Sequence, residues 1–155
     1  MDEAPPVPAK PGSRSGPGRG HRLVEHTADI GIGCWAPSLA ELFREAARGL
    51  MEVMIGPYQP VREEELQVEL RCSDREELLV VWLNELLFIF ESRRLVFADI
   101  DFSQFDDRQL QGRLWGECLR GETLAVERQV KAATYHQLQV AKDAETWRAT
   151  VYLDL

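Results

Sequence analysis

The segment HTADIGIGCW, residues 26–35, sets His26 and Asp29 among residues that otherwise suit a buried strand, and the sequence finishes on Leu153-Asp154-Leu155. These residue types point to metal chemistry. In the closing WRATVYLDL, strand alternation gathers Trp147, Ala149, Val151, Leu153 and Leu155 on one face and puts Arg148, Thr150, Tyr152 and Asp154 on the other. Taken alone, Asp154 reads as a solvated aspartate at a chain end. With a terminal carboxylate one residue away it becomes one of two adjacent oxygen donors, a pair that suits a hard cation such as Mg²⁺, Mn²⁺ or Ca²⁺. Such a pair still lacks ligands, and Asp29 could supply one. Along one regular strand His26 and Asp29 point to opposite faces, so His26 is expected to be structural unless a bulge intervenes. Read as a single strand, VKAATYHQLQV places Val130, Ala132, Thr134, His136, Leu138 and Val140 on a mainly apolar face, with Lys131, Ala133, Tyr135, Gln137 and Gln139 opposite. His136 is then expected in the core or at its edge, and Lys131 is an ordinary solvated charge unless it faces the carboxylates.

Several chemistries are disfavoured. A net charge of −8 is poorly suited to a protein that grips phosphate backbones itself. Cys34, Cys72 and Cys118 are odd in number and contain no CxxC pair, which speaks against a disulfide framework or a zinc cluster and for a reducing cytoplasm. There is no GxxxxGK[ST], GxSxG, HExxH or GxGxxG, and DIDFSQFDD carries Gln104 and Leu110 where a calcium loop needs glycine and glutamate. Self-contained catalysis is therefore not expected. The longest apolar run, LLVVWLNELLFIF, is broken by Asn84 and Glu85 and is too short to span a bilayer, so no membrane association is expected.

The elements that must position these residues follow from patterning. Residues 1–20, rich in Pro and Gly, are expected to be a disordered tail, leaving one domain over 21–155. Arg22–Trp35 reads as a strand whose Gly31 and Gly33 mark a bulge or a close approach. Ser38, with Glu41 three residues on, caps a helix with apolar positions at helical spacing, stopped by Gly56-Pro57. ELQVEL, residues 65–70, alternates as a strand. Ser73 with Glu76 predicts a second capping box, opening an apolar helix expected to be the central buried one. LVFADIDF, RLWGECL, QVKAATYHQLQV and WRATVYLDL read as further strands. The expected fold is α+β: a strand, a capped helix and further strands appear twice, which favours a mainly antiparallel sheet with both helices on one face.

EHTADIGIGCWAPSLAELFREAARGLMEVM, LLVVWLNELLFIFES, VKAATYHQLQV and WRATVYLDL resemble, in order, four motifs of the archease family, spanning residues 21–155. The resemblance implies a single archease-like domain of two strand-helix-strand-strand modules that activates an RtcB-type RNA-splicing ligase, the enzyme joining 2′,3′-cyclic-phosphate and 5′-hydroxyl ends of cleaved tRNA. Such an activator promotes ligase guanylylation and multiple turnover; GTP and the catalytic histidine belong to the ligase, and tRNA is met only through it. Some members are linked to modulating a tRNA methyltransferase. Carried over residue by residue, the family's site for a divalent metal ion (Ca, Mg or Mn) falls on Asp29, Asp154 and the main-chain oxygen of Leu155, and a functionally important lysine on Lys131. The chain departs from the family at 123–130, where TLAVERQV is short and lacks a histidine. Localisation is expected to be cytoplasmic, or nuclear in a eukaryote. Two other readings use the same residues: a stand-alone metal-dependent hydrolase or nucleotide-processing enzyme, and a chaperone-like module whose metal steadies strand ends.

Overall fold

The computed structural model describes residues 18–26, 29–119 and 128–155, with 25 and 26 described by backbone alone. The elements are β1 (Gly20–His26), β2 (Asp29–Ala36), α1 (Leu39–Ile55), β3 (Glu64–Arg71), α2 (Arg75–Arg93), β4 (Leu95–Phe105), β5 (Gln109–Cys118), β6 (Ala132–Ala133), β7 (Gln139–Asp143) and β8 (Thr146–Asp154). Most of the expected tail lies outside the described residues. Its last part does not: Arg19 already reaches Glu41 at 2.7 Å, and β1 starts at Gly20.

Capping sets the helix starts. Ser38 Oγ accepts the Glu41 N–H at 3.1 Å, and α1 stops at Gly56, whose φ of 67° suits a residue without a Cβ. In α2 the cap falls one residue later than Ser73. Asp74 Oδ1 accepts from Glu77 N at 2.8 Å, and Glu77 reaches back to the Ser73 N–H at 2.7 Å. A carboxylate at the helix N-terminus is favoured by the aligned peptide dipoles, which explains the shift from serine to aspartate.

Every ladder among the described residues is antiparallel, and the strands divide between two sheets. One sheet runs β1-β2-β8-β6, with β7 also on β8; the other runs β3-β5-β4. Alternation drives this split. Ile30, Ile32, Cys34 and Ala36 of β2, with Ala149, Val151 and Leu153 of β8, are buried, and α1 packs against both strands. Both helices touch strands of both sheets, so the core forms where the helix pair meets each sheet. The α+β class and the antiparallel strands are as expected, although α1, with twelve buried residues, is more enclosed than α2, with nine. The small residues Ala46, Ala47 and Gly49 let α1 sit close to β2, whereas α2 leaves Phe88 exposed.

Gly49 is the tightest of these approaches. A Cβ there would lie 2.6 Å from Ile32 Cγ2 and 3.4 Å from His21 Cδ2. Gly49→Ala is expected to lower unfolding free energy by about 1–2 kcal/mol, the overpacking cost outweighing the better helix propensity of alanine. Urea denaturation checks this; a variant as stable as the parent would show that α1 can shift away from β2 without loss.

Candidate metal centre at one end of the five-stranded sheet

Residues 26 and 29 do not lie on one continuous strand. They are register partners at the adjoining ends of antiparallel β1 and β2, so the expected opposition along a strand is replaced by apposition across a ladder. The next strand continues the row. Ile30 pairs with Leu153 and Gly31 with Tyr152, so one step further along both strands Asp29, the first residue of β2, comes beside Asp154, the last of β8. Asp154 in turn pairs with Ala132 of β6, and the Lys131 N–H donates to the Asp154 carbonyl at 2.8 Å. Strand order alone therefore assembles His26, Asp29, Asp154 and the Lys131 segment into one row at a sheet end.

Alternation fixes which face the acids occupy. Ile30 and Leu153 are buried toward the helices, so Asp29 and Asp154 belong to the outer face, where Asp29 is half-buried and Asp154 exposed. The expected alternation of β8 holds from Arg148 to Asp154. On the same outer face the Tyr152 ring crosses Gly31 and the Arg22 side chain crosses Gly33; Cβ atoms there would lie 2.9 Å and 3.3 Å from them. The paired glycines thus make room for neighbouring side chains, and the bulge reading is set aside.

The segment read as one long strand is broken in two. Between β6 and β7 the chain turns: Leu138 N–H donates to the Tyr135 carbonyl at 3.2 Å, and Gln137 adopts a left-handed φ of 50°. This turn resets the alternation. Ala133 is buried, and His136 is exposed, not core as expected, with its ring edge-on to Tyr152 at 6.1 Å between centroids. Lys131 is exposed. Leu155 is half-buried and packs against the core, consistent with the apolar side expected for its side chain.

In the sequence Asn84 interrupts an apolar helix, and in the fold it has a partner. Its side-chain amide bonds both polar groups of Ala133: Nδ2 donates to the carbonyl at 3.2 Å, and Oδ1 accepts the N–H at 2.8 Å. A polar amide placed in an otherwise apolar run was the signal available.

The donor set suits a hard cation. Cross-strand neighbours stand about 5 Å apart, within reach of one ion, and two carboxylates with a main-chain oxygen present oxygen only. Among the described residues, no three His, Cys, Asp or Glu side chains converge as a metal site would require. Of the three cysteines, Cys34 is buried and its thiol is pushed up by burial and the nearby Glu45 charge, which removes it as a nucleophile. The segment 123–130 lies mostly outside the described residues. No helix among them is long and apolar enough to cross a membrane.

Residues 21–155 match the sequence model of a family described as the Archease protein family (MTH1598/TM1083). The chain is 33% identical over 142 residues to the protein archease of Methanosarcina mazei, covering 89% of this chain and 97% of that one. It is 36% identical over 138 residues to a protein archease of Saccharolobus islandicus, covering 88% and 99%. Among solved structures, the solution structure of Methanobacterium thermoautotrophicum protein 1598 superposes with a TM-score of 0.73 at 32% identity, covering 89% of this chain and 99% of that chain. A Thermotoga maritima crystal structure, described as an archease and possible chaperone, shares the fold with a TM-score of 0.63 at 23% identity, covering 85% and 94%.

Proposed function

The chain belongs to the archease family, and from that premise we propose that it is an accessory protein that activates an RtcB-type RNA ligase, promoting metal-dependent guanylylation and multiple turnover. The observation that carries this reading is the row at the sheet end, where Asp29, Asp154 and the Lys131 backbone come together. Asp29, Asp154 and the main-chain oxygen of Leu155 would hold a divalent cation, Ca²⁺, Mg²⁺ or Mn²⁺, which supplies positive charge and open positions for phosphate or carboxylate oxygens. As carboxylates the two acids act only as acceptors, whereas the Lys131 ammonium offers three donors to a phosphate or to a carboxylate of the ligase. Acids and lysine side by side present complementary charges to a ligase mouth that handles nucleotide, metal and RNA termini. RNA is met through the ligase, in keeping with the acidic chain.

The test is a guanylylation time course of a cognate ligase with trace amounts of this protein. The expected result is many ligase turnovers per activator molecule, lost on chelation with EDTA and regained on adding Ca²⁺ or Mn²⁺, while the protein alone turns over neither nucleotide nor RNA. Absence of stimulation overturns the proposal. Turnover by the isolated protein would favour the metal-dependent hydrolase.

A further inference from the structure

Strand β6 is only two residues long, yet it links Lys131 to the acidic row. Pairing with β8 is short: a ladder of two register pairs, Ala132 with Asp154 and Ala133 with Leu153, flanked by Lys131 N–H to the Asp154 carbonyl at 2.8 Å and by Thr134, through N–H and Oγ1, to the Tyr152 carbonyl, each at 3.0 Å. So short a strand at the margin of a sheet should fray. The opposite edge of Ala133 is bonded instead by Asn84, whose amide gives one donor and one acceptor to the same residue, as a peptide of an adjacent strand would. Asn84 can do this because α2 is fixed beneath it: Trp82, Leu83 and Leu86 are fully buried, and Trp82 Nε1 donates to the Phe43 carbonyl at 2.9 Å. Aspartate would lose the donor, alanine both groups, and glutamine would overshoot by a methylene.

We propose that Asn84 is a positioning residue that, by standing in for a missing strand, holds β6 and thereby places Lys131 beside Asp154 for ligase activation. This inference rests on the proposed function. The two hydrogen bonds join a buried residue to a rigid helix, and Lys131 enters β6 directly. An unclamped β6 leaves the lysine on a loose segment and spreads its charge over many positions. The acids, held by the long β2 and β8 strands, stay in place.

Two readouts test the assignment on the full chain. In Asn84→Ala, amide hydrogen exchange at residues 131–134 is expected to speed up about tenfold or more while the amides of Ile32 and Val151 keep their protection. The concentration giving half-maximal ligase stimulation is expected to rise about tenfold, and Asn84→Asp, which keeps the acceptor, is expected to fall between. Placed in a Lys131→Ala background, Asn84→Ala is expected to add no further loss, since it acts through the lysine. Unchanged exchange at 131–134 overturns the inference. So does an equal further loss in the Lys131→Ala background, which is what a merely structural role gives. If Lys131→Ala stimulates fully while Asn84→Ala does not, the route through the lysine is wrong although activation stands. If the unaltered protein gives no stimulation, the proposed function falls and this role with it, whatever the exchange shows of the clamp.

Discussion

Asp154→Ala and Asp29→Ala are each expected to raise the concentration for half-maximal ligase stimulation by roughly a hundredfold or more, with melting temperature nearly unchanged. Both side chains belong to the outer face of the sheet end, and neither has a hydrogen bond or ion pair among the described residues. Truncating them empties no core space. The bond from Lys131 goes to the Asp154 carbonyl, which alanine retains, so β6 keeps its pairing. What each change would remove is one side-chain carboxylate from the proposed cation site, a loss that a hard cation tolerates poorly. Asp154→Asn separates charge from shape: it keeps an oxygen of similar reach without the negative charge, and is expected to fall between aspartate and alanine. The check is a stimulation curve run beside thermal melting, with and without EDTA. Full stimulation by either alanine variant removes the metal-centre assignment. Stimulation and melting temperature falling together in both would locate the effect in the fold.

The face occupied by Asp154 was legible in the sequence because β8 buries one side more deeply than the other, so its side chains alternate from Arg148 to Asp154. The site as a row was not. Between β1 and β2 the chain carries Thr27-Ala28, with no Gly, Asn or Pro to announce a reversal, so the two strands read as one and His26 and Asp29 as opposed. Antiparallel pairing made them neighbours, a consequence of topology that no local pattern encodes. His136 was misplaced for a related reason. The break after β6 turns on Gln137 at positive φ, and a residue other than glycine or asparagine there gives no sequence signal. The second helix cap slipped by one because Ser73 and Asp74 are both competent caps and only the helix start distinguishes them. Asn84 was visible as an oddity, but its purpose depends on β6, far away in sequence.

Glu45→Ala is expected to cost about 3–5 kcal/mol, because it leaves several cationic groups facing one another without their shared anion. Glu45 is fully buried. One oxygen lies 3.1 Å from His21 Nδ1; the other lies 2.5 Å from Arg48 Nη1 and 3.8 Å from Arg19 Nε. The second nitrogen of His21, Nε2, is 2.8 Å from Glu52. Glu41, held by Arg19 and Arg44, completes the charged rim of this β1–α1 contact. Burial alone would lower the pKa of His21, but its hydrogen bonds to Glu45 and Glu52 and their negative charges outweigh burial and raise it above the ordinary imidazole value. A raised folded-state pKa means this contribution is fully present below about pH 6.5, the unfolded value, and is lost as pH climbs through the folded one. There the ring gives up a proton and turns a lone pair toward one of the two carboxylates. Urea denaturation from about pH 6 to about pH 9 is therefore expected to show falling stability in the unaltered protein and a flatter profile in His21→Phe. Stability that holds level or rises over that range would mean that His21 is neutral in the fold. The consequence reaches the candidate site, because His21 fastens to α1 the same strand, β1, whose far end pairs residue 26 with Asp29. Weakening that anchor is expected to loosen the first strand of the row before it disturbs β8.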